Sequence, residues 1–172
     1  VAKARADVDE ARPDLPQDVR AEIARQVGIG AIKYADLSVA HDTAYVFDLD
    51  RMVALTGNTG PYLQYAAARV RSIFRTAGLS AGGVERSVAI AEPAERALAL
   101  HLLAFGSVVA QVGDELEPHR LCGYLYELAA LFSSFYENCP VLKAEGEVRS
   151  SRLALAAPTL AVMEQGLGLL GV

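Results

Sequence analysis

The clearest pattern in the sequence is a helical one that restarts after prolines. Pro16, Pro61, Pro93 and Pro118 each precede or begin a segment whose apolar residues recur three and four positions apart, and proline suits the first turn of a helix. The pattern predicts five helices, at 18–37, 61–77, 94–112, 119–136 and 147–170. The one strand-like candidate is 43–49, so we predict an all-α fold: a helical bundle preceded by a short helical connector.

Two of the predicted helices carry long apolar stripes that we assign to the bundle core. In 94–112 the stripe consists of Leu98, Leu102, Phe105, Val109 and Val112. In 119–136 it consists of Leu121, Leu125, Leu128, Phe132 and either Phe135 or Tyr136. Because no window reaches eighteen consecutive apolar residues, we interpret 94–112 as a buried helix and not as a membrane span.

The last predicted helix contains Pro158. Proline removes one backbone hydrogen bond, and its ring clashes with the preceding turn. We therefore expect a kink or a break in the helix there.

The predicted helix 61–77 carries polar and aromatic residues on both sides of its core stripe. The stripe is Leu63, Ala67, Val70 and Phe74; one flank holds Tyr62, Tyr65 and Arg69, and the other holds Gln64, Arg71 and Arg75. Tyrosine and arginine presented together can stack on unpaired bases and pair with phosphates. Alternatively, the two tyrosines pack against a neighbouring helix and bond through their hydroxyls, and the pattern alone favours this packing.

Composition and charge indicate whether the chain can form a core and whether it is a dedicated nucleic-acid binder. The chain has 172 residues, 52% of them hydrophobic, which is enough for a core, and a formal net charge of −5. That charge argues weakly against a dedicated nucleic-acid binder, although local patches set the affinity for phosphates. The basic residues are concentrated early: residues 1–80 hold ten Lys or Arg against ten Asp or Glu, and 81–172 hold six against eleven.

No secretory signal is visible at the start, and we expect Cys122 and Cys139 to be buried and reduced, as in a cytoplasmic protein.

No catalytic constellation is recognisable. The three histidines are scattered, and we interpret His101, inside an apolar run, as a satisfied core or boundary residue. Gly28 and Gly30 form a weak dinucleotide signal, and we favour a close approach of another backbone there. We predict no catalytic residue, no metal site and no cofactor in this chain.

Four blocks identify a family when they are taken together. They are "VGIGAIKYADLS", "YVFDLDRMVALTGNTGPYLQYAAARVRSIFR", "FSSFYENCPVL" and "SRLALAAPTLAVMEQGLGLLG", in this order. Their sequence and spacing closely resemble the C-terminal part of arginyl-tRNA synthetases. The resemblance implies that 1–56 is the tail of a class I catalytic domain with connector helices, and that 57–172 is the helical DALR-type anticodon-binding domain. The family's HIGH-type and KMSK-type signatures are not found in the chain, which we expect to be a fragment.

The resemblance also implies a function and a set of site residues. The parent enzyme would join arginine to its tRNA with ATP and magnesium, and this piece would bind tRNA without catalysis, as a cytoplasmic monomer that does not contact membranes. Tyr65 and Tyr136 match positions that face the anticodon loop, with Tyr62 and Asn138 beside them, and this reverses the packing interpretation for Tyr65. We expect phosphate contacts from Arg69, Arg71, Arg75, Arg149 and Arg152.

Two other functions stay open at this stage. The chain could be a diverged helical interaction or assembly module with no role in RNA binding, which the acidic second half favours. It could also be the anticodon domain of another class I synthetase, such as the cysteine enzyme, but the "NTGPYLQYA" block argues against that interpretation.

Overall fold

The protein is described here by a computed structural model that covers residues 1–44, 46–84 and 87–172. These residues form eight α-helices: α1 (Ala2–Ala11), α2 (Gln17–Leu37), α3 (Leu49–Met52), α4 (Gly60–Ala77), α5 (Pro93–Leu103), α6 (Phe105–Glu115), α7 (Pro118–Asn138) and α8 (Gly146–Leu170). A short 3-10 turn, Ala81–Gly83, follows α4. No strand occurs within the described ranges, and the all-α prediction is confirmed. Within the strand-like candidate 43–49, Tyr45 lies outside the described residues, and 46–48 are irregular.

Local capping explains why α4 begins and ends where it does. The Thr59 hydroxyl accepts a hydrogen bond from the backbone N–H of Tyr62 at 3.2 Å, and Pro61 occupies the first turn. Gly78, with a φ of 68°, ends the helix in the left-handed conformation that glycine adopts at little cost. These residues fix the length of the helix that carries most of the candidate site.

The helix predicted at 94–112 is in fact two surface helices. The helix is interrupted at Ala104, between α5 and α6. Only Glu95 and Leu98 of these two helices are buried. Of the other stripe residues, Leu102, Phe105 and Val112 are half-buried against the core. The prediction of a buried helix is therefore wrong: α7 covers one side of both helices, α8 adds contacts to α5, and the other side of the segment is exposed.

Two segments are long and apolar enough to cross a membrane by length and composition alone. They are Pro93–Glu115 and Gly146–Leu170, each with a mean hydropathy of 1.4. A core helix passes the same test, and α8 is such a helix, with eleven buried residues.

The helix does not break at Pro158. Helix α8 runs from Gly146 to Leu170 with Pro158 inside it. The next residue, Thr159, is completely buried, and its hydroxyl donates a hydrogen bond to the carbonyl oxygen of Leu155 at 2.9 Å. Packing along both sides of the proline thus holds the helix together despite the missing backbone bond.

Helix α7 lies at the centre of the bundle and packs against α2, α4, α5, α6 and α8. Its predicted core stripe is confirmed: Leu121, Leu125, Leu128, Phe132 and Phe135 are all buried. Cys122 and Cys139 are buried free thiols, as expected, and burial raises the pKa of Cys122 to about 12.

The connector helix α2 joins the same core through a close approach to α4. A Cβ atom on Gly60 would lie 2.9 Å from the carbonyl oxygen of Gly30, so the α2 backbone leaves no room for a side chain at Gly60. This close approach of the two backbones confirms the packing interpretation of Gly30. Beside it, the hydroxyl of the fully buried Tyr34 lies 2.5 Å from Oδ1 of Asn58 and 3.0 Å from the carbonyl oxygen of Cys122, so two acceptors share its one proton.

The expectation for His101 is also confirmed. Its Nε2 lies 3.0 Å from the carbonyl oxygen of Tyr124, and the Tyr124 hydroxyl donates to the carbonyl oxygen of His101 at 3.0 Å. The two rings stack with centroids 4.3 Å apart. His101 therefore connects α5 to α7 as a satisfied boundary residue.

Candidate nucleic-acid interface

An arginine lies between two tyrosines where α4 passes α7. The guanidinium carbon of Arg69 is 5.9 Å from the ring centroid of Tyr65 and 5.7 Å from that of Tyr136. Both distances are within the range of cation–π attraction. The structure thus brings together three site residues that the sequence places on two different helices.

Tyr65 is the most accessible ring of this group, with half of its surface exposed to solvent (50%). Its position confirms the helical phase assigned to the flank of α4, because Leu63 and Val70 on the core stripe are buried. The alternative in which Tyr65 packs inside the bundle is excluded by this exposure. Its ring is available to a ligand.

Tyr136 is half-buried and rests on the core. Its ring stacks near that of Phe132, with centroids 6.1 Å apart, and a shallow pocket of about 50 Å³ lies between Arg69, Ser72, Ile73 and these two rings. Two residues further on, Asn138 is exposed at the end of α7, where its side-chain amide donates to the carbonyl oxygen of Ser134 at 2.8 Å. One edge of the site therefore rests on the core, and the other faces solvent.

A second aromatic pair follows the same line toward the start of α4. The half-buried Tyr62 packs against Tyr126 of α7, with ring centroids 5.8 Å apart and the ring planes inclined by 60°. Tyr126 is not among the site residues predicted from the sequence, although its position off the Leu121 and Leu125 stripe could have indicated it. We call Tyr62, Tyr65, Arg69, Tyr126 and Tyr136 the α4–α7 seam.

The other two arginines of α4 lie on the opposite flank, beside α8. Arg71 forms an exposed ion pair with Glu164 of α8 at 2.5 Å. Arg75 is exposed and makes no ion pair within the described ranges. The structure therefore separates Arg71 and Arg75 from the aromatic rings of the seam.

The two arginines of α8 differ from each other. Arg152 has a side chain only 12% exposed; its Nε donates to the carboxylate of Glu95 at 2.8 Å, and its terminal nitrogen donates to the carbonyl oxygen of Pro140 at 3.0 Å. Its charge is thereby held inside the protein, so we do not carry Arg152 into the proposed interface. Arg149 is half-buried, and its buried Nε has no hydrogen-bond partner in the described part of the chain.

The chemistry of the seam suits a flat, neutral ring next to a negative group. No carboxylate pairs with Arg69 in the part of the chain that is described, so its positive charge and its N–H donors remain available. The described residues also contain no group of three or more His, Cys, Asp or Glu side chains that could hold a metal ion. The site can therefore stack on a flat ring and pair with a negative group. We assign no residue of this chain to a metal.

A helical bundle that presents tyrosines and an unpaired arginine along one seam offers the kind of surface on which proteins stack unpaired RNA bases. The chain belongs to the DALR anticodon binding domain family, whose family model matches residues 63–172. Similar proteins and solved structures confirm the resemblance to arginyl-tRNA synthetases.

Two curated relatives are arginine–tRNA ligases that match essentially the whole chain. The one from Thermobifida fusca is 65% identical over 173 residues, and the one from Frankia casuarinae is 54% identical over 170 residues. The match covers 100% and 99% of this chain but only 30% and 29% of those proteins. The chain thus spans about 30% of the length of the curated relatives it matches.

Two solved structures share the fold. Arginyl-tRNA synthetase from Thermus thermophilus superposes with a TM-score of 0.88 at 37% identity, over 99% of this chain and 29% of that one. The enzyme from Plasmodium falciparum superposes with a TM-score of 0.87 at 28% identity, over 99% of this chain and 31% of that one.

Proposed function

We propose that this chain binds the anticodon stem and loop of a tRNA through the α4–α7 seam, as part of an arginine–tRNA ligase. The observation that carries the proposal is the position of Arg69 between the rings of Tyr65 and Tyr136. The family assignment and the identity of the relatives support it.

The proposal gives each seam residue a physical task. The exposed ring of Tyr65 stacks on an unpaired base of the loop, and Arg69 pairs with a phosphate or with the edge of that base. Tyr136 forms the fixed wall of the site because Phe132 supports it from below. Asn138, exposed two residues further on, offers its side-chain carbonyl oxygen to a base edge, because its amide N–H groups already face Ser134.

The whole enzyme would supply the chemistry. We infer that the ligase joins arginine to tRNA using ATP and Mg²⁺ in the cytoplasm, and that the chain is a monomer with its anticodon domain beginning near Gly57. Neither a phosphate-binding loop nor a metal-ligand cluster is present in the described residues. The role of this chain in the reaction is to hold and orient the tRNA.

Changing Tyr65→Ala tests the proposal. We expect the affinity for the anticodon stem-loop of an arginine tRNA to fall by about 1–3 kcal/mol, the value of one lost base–aromatic stack. The free energy of unfolding should change little, because half of the ring is already exposed. Both quantities are measured on the same sample, by fluorescence anisotropy and by urea unfolding.

Two further variants make the result specific. Tyr65→Phe keeps the ring and should bind like the unchanged chain, and Leu103→Ala, at a residue 79% exposed on α5, should do the same. A folded Tyr65→Ala protein with unchanged affinity would overturn the proposal. The assembly-module interpretation would then be the better one.

A further inference from the structure

The tyrosines in the described part of the chain fall into two groups. Tyr34 and Tyr124 are buried, and each directs its hydroxyl to a backbone carbonyl oxygen. Tyr126 lies only two residues after Tyr124, yet 37% of its surface is exposed, and its hydroxyl has no hydrogen bond in the described part of the chain. Core packing alone therefore does not account for Tyr126.

The position of Tyr126 continues the proposed RNA site. Tyr62 contacts Tyr126, and Arg69 contacts Tyr136, so α4 and α7 run side by side in the same direction. Tyr62, which packs against Tyr126, is three residues from Tyr65 on α4, which corresponds to about 4.5 Å along a helix that rises about 1.5 Å per residue. That spacing is close to the step of about 3.4 Å between neighbouring nucleotides.

We propose that Tyr126, supported by Tyr62, forms a second stacking site for another unpaired base of the same RNA loop. The inference rests on the proposed function, because it extends that site by one ring. The occupant is a nucleotide because the two rings continue the line that begins at Tyr65 and Arg69.

The charge beside Tyr126 favours a base over a phosphate. Glu127, the next residue, has 67% of its side chain exposed, and its carboxylate lies 4.0 Å from Nδ1 of His101 on α5. Its charge disfavours a phosphate near this end of the seam but does not repel a neutral base ring. The two ends of the seam thus differ: the Arg69 end can hold a negative group, and the Tyr126 end offers aromatic surface alone.

The test compares variants of Tyr126 that keep or remove the aromatic ring. Tyr126→Leu should weaken binding of the anticodon stem-loop by about 5- to 150-fold, the equivalent of one stack, while Tyr126→Phe binds within about twofold of the unchanged chain. Phe47→Leu is the matched control: Phe47 is 58% exposed and lies outside the seam, so its loss should leave the affinity unchanged. Urea unfolding of each variant confirms that the protein is folded.

The outcomes separate this inference from the proposed function. If Tyr65→Ala weakens binding and folded Tyr126→Leu does not, the second stacking site is overturned and the first stands. If neither variant weakens binding, both are overturned. A loss in Tyr126→Phe equal to that in Tyr126→Leu would also overturn stacking, because the ring is retained in Tyr126→Phe.

A measurement on the unchanged chain covers the case in which Tyr126→Leu does not fold. Stem-loops carrying 5-iodouridine at single loop positions are irradiated in the complex, and the crosslinked residue is found by mass spectrometry. We expect one position to crosslink to Tyr126 and a different one to Tyr65. Crosslinks to Tyr65 with none to Tyr126 would overturn the second site.

Discussion

Glu95 shows at the scale of one residue how the bundle uses a buried charge. Its side chain is 4% exposed, and its carboxylate accepts hydrogen bonds from the backbone N–H groups of Ala91 and Glu92 and from Arg152. Burial by itself would raise the pKa of Glu95, but the bonds from Ala91 and Arg152 outweigh it, so the pKa lies below the ordinary 4.5. The charged form is therefore the one that the fold stabilises.

This shift predicts how stability depends on pH. Because the pKa of Glu95 is lower in the folded than in the unfolded chain, its contribution is fully present above about pH 4.5 and is lost as the pH falls below that value. We expect Glu95→Gln to lower the free energy of unfolding at pH 7 by about 3–5 kcal/mol, because it leaves the Arg152 charge buried without its partner. The difference between the two proteins should shrink below pH 4.5 in urea unfolding series.

A matched control for this prediction is Glu164→Gln, which breaks the exposed ion pair with Arg71. An exposed pair contributes about 1 kcal/mol or less, so this variant should differ little from the unchanged chain. Equal losses in both variants would contradict the account of Glu95.

Helical phase predicts the exposure of single residues well, but it does not predict their partners. The position of Tyr65 follows from counting along one helix, and the structure agrees. The partners of Arg152 and Tyr126 do not follow, because Glu95 lies 57 residues before Arg152 and Tyr62 lies on another helix. Such contacts depend on how helices pack, which periodicity within one helix does not contain.

At the scale of helices, the position of a stripe could be predicted but not how completely it is covered. The stripes of 94–112 and 119–136 are equally apolar in sequence, yet α7 is surrounded by five helices and α5 and α6 are covered on one side. Leu128 is fully buried, while Leu102 is only half-buried.

The difference in burial predicts two different losses of stability. Leu128→Ala should lower the free energy of unfolding by about 2–5 kcal/mol, because it leaves a cavity in the core. Leu102→Ala should cost about half as much or less, because solvent can fill part of the space. Urea unfolding of the two variants in parallel measures this, and equal losses would mean that α5 is as buried as α7.

At the scale of the whole molecule, a net charge of −5 is combined with the local RNA site that we propose. The ion pairs of Arg71 with Glu164 and of Arg152 with Glu95 occupy two of the five arginines that the sequence suggested for phosphates. The remaining cations are few, so binding should depend on salt only moderately. Helix α2 is tied to α7 near the seam, because the buried Tyr34 hydroxyl lies 3.0 Å from the carbonyl oxygen of Cys122.

The salt dependence of binding tests this charge distribution. Each phosphate neutralised on a single strand contributes about −0.7 to the slope of log affinity against log salt, so two or three contacts give about −1.4 to −2. Arg69→Gln should make the slope less negative by about 0.7, and Arg12→Gln, at an exposed ion pair before α2, should leave it unchanged. Anisotropy titrations across a salt series give the slopes, and a slope near zero would contradict the arrangement.

We propose that unpaired bases stacked on the α4–α7 seam hold the tRNA to this domain. The most direct measurement compares the anticodon stem-loop with the same stem-loop carrying abasic sites throughout its loop, because the phosphates are kept and only the bases are removed. With each stack contributing about 1–3 kcal/mol, we expect the abasic loop to bind at least about tenfold more weakly at the same salt concentration. Equal affinity for the two RNAs would contradict the account, because binding would then depend on the phosphates alone.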